Sequence, residues 1–355
     1  MTINMRILGI ESSCDDTSVA LVDITDTTST VLAEKTASQI EVHKKYGGVV
    51  PEIAGRKHAE NILPVVEEVL NGYPQKPDAI AVTSGPGLVT GLLVGVEVAK
   101  NLSHLWNIPL VSMNHIDGHI QSVTIGLSPE LLVYPALSLV VSGGHTELIF
   151  MPKHGVYECI GTTRDDAAGE AFDKVAKLLD LAYPGGPKIS AFAKDGDTKK
   201  IPFPRPMMDS DNFDFSFAGL KTAALYWLQN HKIESPVTPE SFLHEGTVTI
   251  NDFCASFEQA IVDVLVAKTL RAVQQYAPKT VILSGGVSAN NKLRETLKSA
   301  LEEQHSDVLF LFPEKKYCMD NAAMIAIASY EKVKQQQFTH WKDIIVNPNW
   351  RVYQQ

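Results

Sequence analysis

Apolar positions come in short runs broken by polar turns, and their order predicts the elements. Runs at Ile7–Ile10 and Val19–Val22 flank a turn of Ser, Cys, Asp and Thr, so the first segment reads strand, turn, strand. "STVLAEKTASQ" continues as a third strand, and "VVPEIAGRKHAENILPVVEEVL" carries apolar residues at helical spacing behind a proline start. "DAIAVTSGPG" is a buried strand ending in a glycine turn, and "LVTGLLVGVEVAKNLSHLW" a largely apolar helix. "IPLVSMNH" is another short strand, and "NHIDGH", Asn114 to His119, follows at its carboxyl end. A related order then begins again. "YPALSLVVSGGHTELIFMP" and "VYECIGTT" supply three strands, and "AAGEAFDKVAKLLDL" a helix. A stretch rich in proline and glycine, helices near Gly219–Asn230 and Asn251–Gln275, and "KTVILSGGVSANNKLRETLKSAL" come next. "DVLFLFP" reads as a last strand and "MDNAAMIAIASYEKV" as a last helix.

Each half thus has three strands in a row and later alternates helix with strand. That mixture predicts two α/β domains with mixed sheets and a ligand cleft between them. The expected division is 1–127 and 128–355, with a helical insertion near 187–250 and a last helix that could pack back on the first domain.

Composition narrows the class. In 355 residues, 45% are apolar and 20% charged, which is ordinary for a soluble globular protein with a sizeable core. No apolar run spans a bilayer, and the start runs straight into a strand, so neither a membrane span nor a signal peptide is expected. Cys14, Cys159, Cys254 and Cys318 are scattered without a CxxC pair, as for reduced thiols in a cytoplasmic protein. A net charge of −10 argues against a chain that grips nucleic acid unaided, because phosphate binders are mostly basic. Lys199-Lys200 and Lys315-Lys316 are short basic clusters that fit a solvated surface.

Three Gly- or Ser-rich turns follow buried strands: "ESSCDDTS", "VSGGHTE" and "LSGGVSANN". Such turns expose backbone N–H groups that can cradle phosphate oxygens, and in the third a helix is expected to follow directly. One turn alone could be a plain hairpin; three favour a nucleotide or acyl-phosphate site. Neither GxxxxGK[ST] nor a GxGxxG after the first strand is present. Asp173 lies among apolar Ala171, Phe172 and Val175, and could either reach a ribose hydroxyl or pair with Lys177 on a solvated face. In "AYPGGPK", Gly185 or Gly186 could meet a ligand or simply mark a stiff turn.

If Asn114–Gln121 is helical, His115 and His119 share one face, which suits two imidazoles on a transition metal. Asp320 is a candidate third ligand or, alternatively, a helix N-cap. A metallopeptidase of the HExxH type needs a glutamate after the first histidine, and Ile116 stands there instead.

The motifs "GIESSCDDTSVALVD", "YGGVVPEIAGRKH", "NHIDGH", "VSGGHTEL", "DDAAGEAFDKVAKLL", "YPGGP", "DFSFAGLKT", "GGVSANNKLR" and "CMDNAAMIA" together resemble the tRNA N6-adenosine threonylcarbamoyltransferases. The likeness covers nearly the whole chain. Ala322 and Ala218 depart from the commoner Gly and Ser, both by a small change, and a short leader, Met1–Asn4, precedes the usual start.

The resemblance implies two duplicated domains of the actin/Hsp70/sugar-kinase, RNase H-like type. It implies transfer of a threonylcarbamoyl group from threonylcarbamoyl-AMP to N6 of adenosine 37 in tRNAs that read codons beginning with A, with release of AMP. One divalent metal per subunit, iron (Fe2+) or alternatively zinc, would sit on His115, His119 and Asp320, with no organic cofactor. The adenylate would meet Val140, Val141, Ser142, Gly143, Gly144, Asp173, Gly186 and Asn290, and His145 adjoins that segment within reach of phosphate or metal. In the first turn, Glu11, Asp15 or Asp16 would manage the proton of the incoming amine. Implied partners are tRNA, a non-catalytic paralogue of the same fold and a small P-loop-type ATPase, in the cytoplasm. The rival readings are a small-molecule kinase of the same fold, which needs no metal triad, and a non-catalytic scaffold, which need not retain one.

Overall fold

The computed structural model describes residues 4–233, 235–239, 241–242 and 248–354. Met1–Ile3 of the short leader and part of the insertion expected near 187–250 lie outside the described residues. The chain divides into two compact units, one made of Met1–Val133 with Phe312–Gln355, the other of Tyr134–Leu311. The division therefore falls at 133/134 rather than 127/128, and everything from Phe312 onward groups with the first unit.

In the first unit the elements run β1 (Met5–Glu11), β2 (Asp16–Ile24), β3 (Ser29–Ser38), a single turn α1 (Ile40–His43), α2 (Pro51–Leu70), β4 (Ala79–Gly85), α3 (Val89–Trp106), β5 (Leu110–Asn114) and α4 (His115–Gln121). The sheet order is β3-β2-β1-β4-β5, antiparallel for the first two pairings and parallel for the others. Successive residues of β1 and β4 face opposite sides, so Ile7, Ala79 and Ala81 enter one core and Leu8, Ile10, Ile80 and Val82 another. α2 and α3 cover the second face through Ile62, Val65, Val96 and Ala99. Sheets covered on both sides read as unbroken apolar runs, and β1 and β4 do.

The second unit contains β6 (Ala136–Val141), β7 (Thr146–Lys153), β8 (Val156–Thr162), α5 (Ala168–Leu178), α6 (Gly185–Ala193), α7 (Ala218–Asn230), α8 (Ile250–Tyr276), β9 (Thr280–Ser284), α9 (Asn291–Gln304) and the three-residue β10 (Leu309–Leu311). Its sheet order, β8-β7-β6-β9-β10, repeats the first with each strand replaced by its counterpart. In "YPGGPK" the turn runs into a helix, Gly185 and Gly186 opening α6. One of the expected local structures is corrected here. In the third glycine turn the helix does not follow directly: a 3-10 turn, Gly286–Ala289, intervenes before α9.

The last helix, α10 (Ala322–Lys334), belongs to the first unit and fills its other core with Ala322, Ala323, Ile325 and Ala326. The approach is close: a Cβ on Gly9 of β1 would lie 2.2 Å from the Ala322 carbonyl oxygen. Small residues on helix and strand together permit that contact.

Candidate active site

In the first unit, β5 hands directly to α4. Asn114 caps the helix, its Oδ1 accepting from the N–H groups of Ile116 (2.9 Å) and Asp117 (3.4 Å). The helix so fixed puts His115 and His119 one above the other, and all seven residues of α4 are buried. On Gly118 a Cβ would come 2.7 Å from Ile325 Cδ1, so glycine here lets α10 lie against α4.

Asp320 stands just before α10, but Asn321 makes the cap, its Oδ1 accepting from the Met324 N–H at 2.9 Å. The Asp320 carboxylate instead approaches His115 Nε2 (3.5 Å) and His119 Nε2 (3.2 Å). The imidazole centroids are 4.6 Å apart and nearly perpendicular. Among the described residues this is the one trio of such side chains whose ligand atoms all fall within 4.8 Å.

The trio fits a transition metal. Both ring nitrogens of His119 are buried without a hydrogen-bond partner in the protein, a costly state for a polar group. Two ligand atoms about 2.05 Å from a tetrahedral ion sit roughly 3.3 Å apart, close to the observed separations. His115 is held in the matching tautomer: its Nδ1 lies 3.0 Å from Glu11 Oε2 and donates to it, which turns Nε2 toward Asp320. Burial alone would lower the His115 pKa, but Asp320 and Glu11 outweigh it and raise it to about 9. The cluster therefore calls for positive charge at its centre, and two imidazoles with a carboxylate suit iron or zinc.

Glu11 is wholly buried. Its Oε1 accepts from the Ser13 N–H (2.6 Å), and its Oε2 from the Thr83 hydroxyl (2.6 Å) as well as His115. Burial would raise its pKa, yet His115 lowers it on balance. Asp15 is half-buried, and burial together with the Asp320 charge raises its carboxyl. Asp16, in β2, is pushed to about 7, chiefly by burial.

One bracing residue is not among those expected from the motifs. His58 of α2 lies 3.0 Å from the Cys14 carbonyl through Nε2 and 2.8 Å from the Thr17 hydroxyl through Nδ1. A carbonyl only accepts, so Nε2 carries the proton and Nδ1 takes the hydroxyl's, tying both sides of the first turn to α2. The sequence does carry a signal: His58 continues the apolar stripe Ala54, Ile62, Val65 and Val69.

In the second unit the β6–β7 turn closes through Ser142 N–H to the His145 carbonyl (2.8 Å) and His145 N–H to Ser142 Oγ (3.1 Å). Val140 and Val141 are buried strand residues, whereas Gly143 and Gly144 are exposed, and a Cβ on either would meet nothing within 4 Å. Neither glycine N–H donates to a described residue. α5 begins against this turn, because Gly169 leaves room for the Ser142 carbonyl, 2.6 Å from where a Cβ would be.

Asp173 does not pair with Lys177 on a solvated face; its Oδ1 accepts from the Gly185 N–H at 2.7 Å and joins α5 to α6. The ion pairs there use Lys174, with Asp166 (2.7 Å) and Glu170 (2.8 Å). Gly185 is required by packing, with Ala176 Cβ 2.4 Å from an added Cβ, while Gly186 has room, its nearest such neighbour being 3.8 Å away. Asn290 caps α9 by accepting from the Leu293 N–H (2.9 Å). Its amide also donates to Glu258 Oε1 (2.7 Å) and Ser190 Oγ (3.1 Å). Of the expected site residues, His115, His119, Asp320, Glu11 and Asp15 belong to the first unit, and Val140–Gly144, His145, Asp173, Gly186 and Asn290 to the second.

Two five-stranded sheets of matching order define an α/β protein of the actin/Hsp70/sugar-kinase type. Solved structures agree on the fold. Full-length HypF in a phosphate- and nucleotide-bound form matches with a TM-score of 0.58 at 12% identity, over 94% of this chain and 47% of that one. HypF from T. kodakarensis matches with 0.59 at 13% identity, over 98% and 51%. The chain spans about half the length of these HypF proteins.

Within that class, the family profile of TsaD, tRNA N6-adenosine threonylcarbamoyltransferase, matches residues 30–327. Proteins of that name from Kosmotoga olearia (47% identity, 94% of this chain, 96% of that one) and Bacillus subtilis (47%, 92% and 90%) are similar over nearly their full length. The Listeria innocua protein is 46% identical over 98% and 97%. This chain belongs to the tRNA N6-adenosine threonylcarbamoyltransferase family and is a transferase that modifies tRNA. Among the described residues, no helix is long and apolar enough to cross a membrane.

Proposed function

We propose that the donor is threonylcarbamoyl-AMP and the acceptor N6 of adenosine 37 in tRNAs reading codons that begin with A. The observation that carries this reading is the pairing of chemistries in one chain: a trio suited to a divalent metal, and an open glycine turn suited to a phosphate. In the reaction the adenine N6 attacks the carbamoyl carbon, the bond to the phosphate oxygen breaks, AMP leaves and the amine gives up one proton.

His115, His119 and Asp320 would hold iron or alternatively zinc, which when bound supplies Lewis acidity toward an oxygen developing negative charge. Gly143 and Gly144 offer two N–H donors to the phosphate, and His145 adjoins them. Asp173, which ties α5 to α6, Gly186, and Asn290, which caps α9, are assigned to the adenylate side. Glu11, its oxygens already holding three donors, orients His115 rather than taking a proton, which leaves Asp15 and Asp16 as the candidates for the amine's proton. The net charge of −10 supports shared tRNA binding, with the same-fold paralogue and the small ATPase contributing in the cytoplasm.

Reconstitution decides the matter: threonine, bicarbonate, ATP, the adenylate-forming enzyme, the partner proteins and an ANN-reading tRNA are combined, and adenosine 37 is analysed by mass spectrometry. The modified nucleoside is expected with the wild type. His115→Ala is expected to purify without metal and to turn over about 10²-fold more slowly or worse. An unmodified adenosine 37 with the wild type sinks the reading.

A further inference from the structure

Glu258 enters the second unit's candidate site without any sequence motif to announce it. It lies on α8 in the buried stripe of Cys254, Phe257, Ile261 and Leu265 and is only 7% exposed. Its Oε1 accepts from the Ser190 hydroxyl (2.5 Å) and from the Asn290 amide (2.7 Å). Its Oε2 accepts from no described residue, and it is not among the polar atoms sealed from solvent. Nor does a described Lys, Arg or His form an ion pair with this carboxylate. A buried carboxylate with one oxygen left over is poorly compensated, and a hydrogen-bond donor brought by a ligand would complete it.

The surroundings restrict what that donor is. Ser190 stands one turn after Gly186 on the same face of α6, and the Gly186 side has room. The Asn290 amide, the natural partner for an adenine edge, has both hydrogens taken by Glu258 and Ser190 and its oxygen in the α9 cap. An adenine edge sets an amino donor beside a ring-nitrogen acceptor, and a carboxylate would repel that acceptor. A ribose diol offers two hydroxyl donors, the usual partners of a buried carboxylate in nucleotide sites.

We propose that Glu258 Oε2 is the acceptor for the vicinal hydroxyls of the bound nucleotide's ribose, with Ser190 and Asn290 holding the carboxylate in place. This rests on the reading that the second unit binds the adenylate. Ser190 and Asn290 orient the carboxylate through its other oxygen, which leaves Oε2 facing the ligand.

The test is calorimetric binding of AMP, 2′,3′-dideoxy-AMP and purine riboside 5′-monophosphate to the full chain, wild type and Glu258→Gln. Glutamine keeps an oxygen for Ser190 and Asn290 but presents an amino group where Oε2 was. The wild type is expected to prefer AMP over the dideoxy nucleotide by roughly tenfold or more, and Glu258→Gln to erase that preference by weakening AMP alone. Purine riboside monophosphate is expected to lose as much as AMP on the substitution. A wild type indifferent to the hydroxyls overturns the assignment even if the variant fails to fold. So does an equal loss for AMP and the dideoxy nucleotide, which marks a merely structural carboxylate. A loss that vanishes with the purine riboside would assign Glu258 to the base instead and equally overturn it. A wild type that binds none of the three removes the underlying adenylate reading, a distinct result.

Discussion

The β1–β2 turn and the β6–β7 turn occupy the same place in two sheets of matching order, yet they are built for opposite charges. The first is acidic and held from inside: Ser12 Oγ donates to the Gly91 carbonyl (3.0 Å), His58 grips both of its sides, and Glu11 is buried against His115. The second is short, exposed at Gly143 and Gly144, and leaves two N–H groups without a partner among the described residues. A strand end in this fold supplies only a place for a turn. Its side chains decide whether that place attracts a cation or a phosphate, which is why fold alone does not give function.

The sharpest way to break this contrast is at Glu11. If that carboxylate orients His115 for a metal, Glu11→Gln is expected to lower metal affinity roughly 10–100-fold, read by chelator competition with metal analysis. Nucleotide binding by the second unit should hardly change. Unaltered metal retention would mean that Glu11 is a buried structural acid and that the first turn is not built around a cation.

Both sides of the contrast are partly legible in the amino-acid sequence. The i,i+4 histidines, the three turns and the repeated order of strands all reappear in the fold, because period and turn chemistry are local properties. What the sequence hides depends on distant segments. Gly9 and Gly118 are glycines because α10 passes close to both, which no local pattern reveals. Asp320 suits a helix cap as well as a metal on sequence grounds, and only the Asn321 cap decides between them. Glu258 interrupts an apolar stripe on α8, and a charged residue at such a position needs a partner, but the stripe does not say which.

A smaller effect separates packing glycines from ligand glycines. Gly9→Ala drives a Cβ into the Ala322 carbonyl and is expected to cost about 1–3 kcal/mol in urea unfolding of the first unit. Gly143→Ala, with nothing within 4 Å of its Cβ, is expected to change stability by no more than about 0.5 kcal/mol. Calorimetry should nevertheless show it binding AMP more weakly. If Gly143→Ala leaves AMP affinity untouched, the second turn is a plain hairpin and the contrast loses one side.

The smallest effect concerns how each unit carries buried charge. In the first unit opposite charges face one another, as buried Glu11 and half-buried Asp320 face buried His115. In the second, Lys268 of α8 is fully buried, and its Nζ donates to neutral acceptors, Ser210 Oγ and the Asn212 carbonyl, both at 2.9 Å. Burial first, then Arg271 and Arg164, lower its pKa to about 8 against the opposing pull of Asp214. Between about 8 and the ordinary 10.5, the unfolded chain keeps a proton that the folded chain has released. The unfolded state then binds more protons, so this residue's contribution makes stability rise with pH across that window. Below about 8 both states are protonated and the cost of burying the charge is constant. Lys268→Met removes the titration while keeping most of the volume. Relative to the variant, the wild type should therefore gain stability as urea unfolding of the second unit is repeated from pH 8 to pH 10, with groups common to both proteins cancelling. A difference that stays flat over that range would show that Lys268 keeps its proton, and that the second unit compensates buried charge as fully as the first.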